Sequence, residues 1–151
     1  MSNVADNLLA SMKRYVTKFI EDHSVDFPNL QYFNFEAAGD NPDLPAPDLM
    51  GIAAYSIAAA EQMLGVELVL AVSTNVDTDL IRLTQITHRI FEDFIPGSSI
   101  PVLDAATGEE LGFLIATDGT RLMASGNVKA NSPRPIRMVT INLLTDQQVT
   151  Q

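Results

Sequence analysis

The chain has 151 residues, of which 46% are hydrophobic, and it carries 9 Lys and Arg against 19 Asp and Glu, a net charge of −10. This length fits one globular domain, and the negative charge disfavours sequence-specific binding to the phosphate backbone of DNA. The lack of cysteine in the sequence excludes disulfides, thiol catalysis and thiolate metal sites. No apolar run approaches the roughly 20 residues of a membrane helix and no signal peptide is visible, so we expect a cytoplasmic protein without a membrane partner.

An amphipathic helix is predicted over residues 5–22, where apolar residues recur every three or four positions. Its polar face carries three basic residues, Lys13, Arg14 and Lys18. A solvated helix face is the commoner meaning of such a cluster, and contact with an acidic neighbour is the alternative. A short strand is predicted after this helix, over residues 30–36, where aromatic residues alternate with polar ones.

Residues 39–48 form the most loop-like segment, with three prolines and the three aspartates Asp40, Asp43 and Asp48. Proline lacks the backbone donor that helices and central strands need, so we predict an exposed loop or arm here. Three aspartates offer oxygen ligands for calcium, but their spacing does not match an EF-hand and the prolines restrict wrapping. A solvated loop is therefore favoured over a metal site.

Residues 50–64 admit two interpretations. Their alanines, with Glu61, Gln62 and Met63, favour a helix by propensity. Residues 52–61 also fit a two-sided strand, which would pair as a hairpin with the apolar strand predicted over residues 66–73. We favour the strand.

An amphipathic helix is predicted over residues 78–94, directly after the strand at 66–73. Asn75, Asp77 and Thr78 offer side-chain oxygens to its free N–H groups, and the apolar stripe then recurs at helical spacing. This strand and helix carry no obvious chemistry, so they read as a scaffold.

The C-terminal third of the chain predicts short strands joined by turns. Strands over 100–103 and 110–116 lead to Asp118-Gly119, a strong hairpin signal, and residues 120–125 are expected to return antiparallel. A polar link then carries the second basic cluster, Lys129, Arg134 and Arg137. Residues 137–144 alternate cleanly and predict a well-paired last strand, followed by a tail that frays from about residue 146.

The order of these elements is helix, strand, long loop, hairpin, helix, meander and strand. It predicts a single α+β domain over residues 1–151, with two main helices packed on a mostly antiparallel sheet of about five to seven strands.

Catalytic signatures are absent from the sequence. Neither HExxH, GxSxG nor a glycine-rich phosphate loop occurs, and the two histidines, His23 and His88, stand apart. His88 lies at the edge of an apolar stripe, where a boundary residue is commoner than a ligand or base. We therefore predict no catalytic, cofactor-binding or metal-binding residues and no enzyme, and a small enzyme or ligand-binding module is the alternative.

The whole arrangement resembles the tail terminator proteins, also called tail completion or neck proteins, of long-tailed bacteriophages. The resemblance rests on the order and kind of elements over most of the chain. The elements that carry it are the first helix ending at Ile20, the acidic proline loop, the strand at 66–72, the helix at 78–94 and the closing strand at 138–144.

This resemblance implies a non-enzymatic virion protein that forms a hexameric ring. Such rings cap the tail tube, and the sheath where one is present, end its polymerisation, and join the tail to the head connector. A closed ring of identical subunits makes contacts between two different surfaces. The two basic clusters are therefore expected to meet acidic loops such as residues 40–48 on a neighbour, while an acidic lumen lets genome DNA pass without specific binding. Another neck or tube-associated protein is the alternative within this class.

Overall fold

The computed structural model describes residues 3–37, 44–60, 63–128 and 134–147. These residues form two helices and a seven-stranded sheet, so the predicted α+β class is confirmed. A short 3₁₀ turn over Thr78–Leu80 precedes the second helix. The elements in chain order are α1 (Val4–Asp22), β1 (Leu30–Tyr32), β2 (Asp48–Ala60), β3 (Met63–Ser73), α2 (Ile81–Asp93), β4 (Ser99–Leu103), β5 (Glu110–Ala116), β6 (Arg121–Val128) and β7 (Arg134–Thr145).

The strands lie in the order β1-β2-β3-β7-β5-β4, and β6 also pairs with β7. β1 and β2 are parallel, and the other described pairs are antiparallel. β7 pairs along one side with β3, from Ser73↔Ile136 to Leu64↔Thr145, and along its other side with β5 and β6. The prediction that the last strand is well paired is therefore confirmed.

The ambiguous segment at 50–64 is a strand. β2 pairs antiparallel with β3 over almost its whole length, for example Tyr55↔Leu68 and Ile57↔Val66, with a bulge between Ile52 and Ala54. Both the strand and the predicted hairpin are confirmed. Alanine has the highest helix propensity, but propensity is a weak determinant, and pairing with an apolar neighbouring strand outweighs it.

The predicted hairpin at Asp118-Gly119 is wrong. β5 and β6 both run antiparallel to β7, at Ala116↔Leu143 and then Arg121↔Thr140, so they follow one another along the same side of β7. Four residues, 117–120, lie between β5 and β6, and they stand opposite only two residues of β7, 141 and 142. Gly119 takes a positive φ of 105° within this insertion. The turn residues therefore make a bulge in a long strand, because pairing with β7 continues on both sides of them.

The predicted strand at 30–36 ends early, at Tyr32. Beyond it the backbone at Phe33 passes very close to Gly51 of β2. A Cβ atom placed on Gly51 would lie only 1.7 Å from the Phe33 carbonyl oxygen. The Phe33 N–H donates to the Met50 carbonyl (3.0 Å) and the Glu36 N–H to the Ile52 carbonyl (3.2 Å). Only glycine at position 51 leaves room for this approach.

α1 agrees with the predicted first helix. The Asn3 side chain caps its first turn by accepting from the Asp6 N–H (2.7 Å). α2 begins at Ile81 instead of the predicted residue 78, because Asp79 and Leu80 both take a φ of 57° and interrupt the helix.

Buried side chains of both helices and of most strands form one hydrophobic cluster. α1 contributes Leu8, Met12, Val16 and Phe19, and α2 contributes Leu83, Ile86 and Ile90. Burying such side chains is the main favourable term in folding. Among the described residues, no helix is both long and apolar enough to cross a membrane.

The structure describes two residues of the tail that was predicted to fray from about residue 146. Gln147 is buried, and its side-chain amide donates to the Leu111 carbonyl (3.3 Å). Residues 148–151 lie outside the described residues.

Candidate functional site

A connected cluster of polar side chains lies where β2 and β7 begin, β3 ends and α2 begins. We call it the Asp48 cluster, and its members are Asp48, Ser73, Asp77, Arg82 and Arg134. Asp48 is the first residue of β2 and only 5% exposed. Its carboxylate accepts from Nε of Arg82 (2.9 Å) and from a terminal nitrogen of the same guanidinium (3.1 Å). This two-pronged geometry is the strongest that an arginine and a carboxylate form.

Arg82 also binds the loop before its own helix. Its guanidinium donates to the carbonyl oxygens of Asn75 (2.7 Å) and Val76 (3.1 Å). The hydrogen bond from Arg82 to Asp48 raises the pKa of this arginine. The side chain therefore acts as a fixed positive clamp between β2 and the loop at 75–80.

Arg134 is the second clamp and is 5% exposed. Its guanidinium donates to Oγ of Ser73 (3.0 Å) and to the carbonyl oxygens of Pro45 and Pro47, both at 2.8 Å. Burial lowers the pKa of Arg134, and the charge of Asp48 acts in the opposite direction. An arginine still stays protonated in such a site. The chain just before β2 is thereby fixed to the ends of β3 and β7.

Asp77 holds the start of α2. Its carboxylate accepts from the backbone N–H of Arg82 (3.0 Å) and of Leu83 (2.8 Å), and from the Thr74 hydroxyl (2.8 Å). Burial alone would raise the pKa of Asp77, but these hydrogen bonds outweigh it and lower the pKa. Asp77 therefore caps α2, although it lies three residues before Leu80, the usual N-cap position.

The loop that these groups hold is strained. Val76, Asp79 and Leu80 all have a positive φ, between 52° and 57°. L-residues avoid this region, and a β-branched residue such as Val76 does so most strongly. Val76 is also 87% exposed. Such strain persists only where surrounding contacts fix the backbone.

A cleft of about 570 Å³ opens beside the Asp48 cluster. Its charged lining residues are Asp48 and Arg82, which already bind each other. The rest of the lining is apolar or neutral and includes Pro28, Pro47 and Val76. The cleft therefore offers shape and apolar contact rather than a free charged group.

A second cleft, of about 440 Å³, lies between the C-terminal halves of α1 and α2 and the strand β4. The Tyr15 hydroxyl donates there to Asp93 (2.8 Å), and its ring lies against Phe94 with centroids 4.6 Å apart. Burial, and then the charge of Asp93, raises the pKa of Tyr15. His23 also lines this cleft, whereas His88 lies on the surface beside Glu92 (2.9 Å).

The three basic residues predicted on the first helix all lie on the exposed face of α1. Lys13 stands over the Tyr32 ring at 5.5 Å, Lys18 pairs with Asp22 at 2.6 Å, and Arg14 lies 3.8 Å from Glu21. Exposed pairs of this kind contribute little stability. All three side chains remain exposed in these pairs.

The residues of the second basic cluster and of the acidic loop fall into two groups: some make contacts within the chain, and the others lie outside the described residues. Arg134 and Asp48 are brought together within one chain, in the Asp48 cluster, and Arg137 donates to Oγ1 of Thr84 (2.9 Å). The predicted interface residues Asp40, Asp43 and Lys129 lie outside the described residues. Among those described, no group of three or more His, Asp or Glu could hold a metal ion.

The prediction that Asp77 offers its side-chain oxygens to the free N–H groups of the second helix is confirmed. Sequence reasoning missed the role of Arg82, and it did not reveal the left-handed residues that move the helix start to Ile81.

An apolar stripe on β5 is the other prominent surface. Leu111, Phe113 and Ile115 alternate with Gly112, Leu114 and Ala116 along this strand. Leu114 and Ala116 are buried, whereas Phe113 is 52% exposed and its two stripe neighbours are exposed as well. Alternate residues of a strand point to opposite faces, so the stripe faces away from the core.

No protein-family model matches this chain, and a search of curated proteins finds no match either. Inference about its function therefore rests on its own residues and surfaces.

Proposed function

We propose that this chain is a non-enzymatic structural protein of a bacteriophage virion, a tail terminator. In this proposal identical copies form a ring, hexameric by resemblance, that caps the tail tube. The ring also meets the sheath where one is present, and it joins the tail to the head connector. Assembly takes place in the host cytoplasm, and the protein ends in the neck of the virion.

The exposed apolar stripe on β5 is the observation that carries this proposal. Three large apolar side chains, Leu111, Phe113 and Ile115, share one exposed strand face. Isolated exposed hydrophobic residues are ordinary, but a continuous group on a protein surface marks a site of contact with another protein. A subunit that must bind copies of itself, a tube and a connector needs such surfaces.

The two-layer arrangement is part of the same proposal. Both helices contribute to the core that also holds Leu114 and Ala116, so we infer that they cover one face of the sheet. The β5 stripe then lies on the opposite face and is free to meet a partner.

The Asp48 cluster supports a structural role in a different way. Asp48 and Arg82 bond to each other, and both arginines donate to backbone carbonyl oxygens. They fix the chain before β2 and the loop at 75–80 in place. A subunit that docks several partners benefits from surface loops held in one conformation.

The charge of −10 fits a ring around passing DNA. Negative side chains repel phosphate groups, so a genome slides through without specific binding. The basic face of α1, at Lys13, Arg14 and Lys18, is the surface proposed to meet an acidic partner.

The ring is tested by light scattering and negative-stain images of the purified protein, alone and mixed with tail tube protein. We expect closed rings, or rings that appear on the ends of tubes. Monomers under both conditions would refute the proposal.

The role of the stripe is tested with a Phe113→Ser/Ile115→Ser variant. It should lose capping of tubes while its urea unfolding midpoint stays close to that of the parent, because both side chains are exposed. Val25→Ser is the matched control, since Val25 is 91% exposed on the turn after α1. Equal capping by the stripe variant and the control would remove the stripe from the proposal.

A small-molecule-binding module is the second candidate, and the cleft beside Tyr15 favours it. This cleft combines aromatic walls with Asp93 and His23, a mixture typical of ligand sites. A parent chain that caps no tubes but binds a screened compound, with that binding lost in a Tyr15→Phe variant, would favour this candidate.

A further inference from the structure

The edges of the sheet differ in how they are protected. β4 is an edge strand, but Pro101 gives it a residue without an N–H, and the Leu103 N–H donates to Oγ of Ser11 on α1 (2.7 Å). β1 is the opposite edge and is only three residues long. Proline, cover by a helix and short length are the usual ways to stop an edge from pairing with another chain.

β2 continues beyond Ile52 for eight residues without a proline. Within the described chain, residues 53–60 have a strand neighbour only on the β3 side. They belong to a run of twelve residues, 49–60, without a charged residue or proline, which is longer than any other such run in the sequence. Ala54, Ser56 and Ala58 along it are exposed. A row of backbone N–H and C=O groups is thus open to pairing.

β6 is the second open edge. In the part of the chain that the structure describes, it pairs with β7 alone. Its first four residues pair regularly, from Arg121↔Thr140 to Ala124↔Arg137, and a bulge follows. β2 and β6 lie on opposite sides of the pair formed by β3 and β7. The sheet therefore has an open edge on each side.

We propose that the β2 edge of one copy, at residues 53–60, pairs with the β6 edge of the next copy and joins their sheets around the ring. Two different open edges on one chain give the head-to-tail contact that a closed ring needs. This inference rests on the ring of the proposed function and names the surface that builds it.

Charge favours a second copy at this place. Copies with a net charge of −10 repel each other over most of their surfaces. The uncharged β2 edge lets two backbones meet without that penalty, and Arg121 at the start of β6 brings a positive charge to an acidic neighbour. Main-chain hydrogen bonds supply the affinity in this mode of strand addition.

The test uses an Ala54→Lys/Ala58→Lys variant of the full chain, which places two charges along the exposed β2 edge. Ala5→Lys/Gln85→Lys is the control, because it adds the same charge at two exposed positions of α1 and α2. We expect the edge variant to need at least about tenfold higher concentration to assemble in light scattering, while the control assembles like the parent. Equal assembly of the edge variant and the control would overturn the inference.

Hydrogen exchange on the unmodified chain gives a result that does not depend on whether the variant folds. The amides of residues 53–60 and 121–128 should exchange at least tenfold more slowly in the assembled protein than after dilution to monomer. Assemblies with unchanged exchange at these residues would overturn the strand pairing and leave the ring intact. Assembly that stops at dimers would overturn the head-to-tail pairing, and monomers with and without tube protein would refute the ring as well.

Discussion

The two helices of this protein begin in opposite ways. α1 begins at a local cap, where the Asn3 side chain accepts from the N–H three residues later. α2 has no side-chain cap at Leu80, the residue before it, and two left-handed residues precede its first turn. Its N–H groups are bound by Asp77, and that region is held in turn by Arg82 and Asp48.

This difference shows that the local sequence determines where one helix begins but not where the other begins. A cap within one turn works in any context, because it needs only its own residue and the next three. The start of α2 depends on Asp48, which is 34 residues before Arg82 in the chain. Four predictions test this contrast, and a fifth, at Tyr15, concerns the other end of α1.

The largest effect is expected from Asp48→Ala. It leaves the Arg82 guanidinium without its carboxylate and removes a negative charge close to the buried Arg134. Removing one partner of a buried ion pair usually costs about 3 to 5 kcal/mol. We expect a loss of about 3 kcal/mol here, because Arg82 is partly exposed. Urea unfolding measures the loss in free energy of unfolding.

Asp26→Ala is the control for Asp48→Ala, because Asp26 pairs with Arg89 at 3.4 Å on the surface. It should cost less than about 1 kcal/mol. Similar losses for both variants would mean that Asp48 does not clamp the start of α2.

The second prediction compares the caps directly. Asp77→Ala removes three hydrogen bonds and should cost about 2 kcal/mol, whereas Asn3→Ala removes one and should cost about 1 kcal/mol. Circular dichroism and urea unfolding of both variants give the comparison. A larger loss for Asn3→Ala would reverse the contrast.

The third prediction concerns the strain before α2. Val76→Gly should raise the free energy of unfolding by about 0.5 kcal/mol, because glycine accepts the positive φ of 52° that valine avoids. Val25→Gly is the matched control, since Val25 is equally exposed but its φ is not positive. It should lower the free energy of unfolding by about 0.5 kcal/mol. Changes of the same sign would show that the loop is not strained.

The smallest effects are expected in the dependence of stability on pH. The pKa of Asp77 is lowered in the folded chain, so its carboxylate adds stability above the ordinary Asp pKa of about 4. That stability is lost as the pH falls through the folded-state pKa. Asp77→Asn should flatten the dependence of the free energy of unfolding on pH below about pH 4, and an unchanged slope would contradict the role of Asp77.

Tyr15 on α1 should act at the other end of the pH range. Its pKa is raised in the folded chain, so its contribution is intact below the ordinary Tyr pKa of about 10 and is lost as the pH rises further. Tyr15→Phe should reduce that alkaline loss in thermal unfolding above about pH 10. A loss that persists in the variant would have to come from another group.

The elements that could be predicted from sequence are those with a strong local pattern. α1, β3 and β7 have apolar residues at the spacing of a helix or a strand, and each forms close to its predicted range. β2 could be predicted only by weighing its alternation against the helix preference of its alanines, and pairing with β3 decided the outcome.

The errors share one physical cause. Asp118-Gly119 has the residues of a tight hairpin, but β7 offers partners on both sides of it, so the chain continues along β7 with a bulge. Likewise, the local sequence around Arg82 indicates no partner for it, yet Asp48 lies near enough to bind it. Contacts between residues far apart in the chain decided both cases, and one sequence does not reveal them.

The site could be predicted only in part. Asp48 and Arg134 were singled out for their charge, and within one chain Asp48 binds Arg82 while Arg134 binds backbone carbonyl oxygens. The sequence indicated which residues carry charge but not which carbonyl oxygens would surround Arg134.

The central place of β7 has a consequence for how the protein folds. β3 and β7 are 63 to 81 residues apart in sequence where they pair, from Ser73↔Ile136 to Leu64↔Thr145, and β5 and β6 also need β7 as their partner. During synthesis the β2–β3 and β4–β5 hairpins are made first, and β7, which lies between β3 and β5 in the sheet, is made last. Contacts across such distances slow folding and leave strand edges exposed meanwhile. We expect this interval, before β7 inserts, to be the period in which the chain is most prone to aggregate.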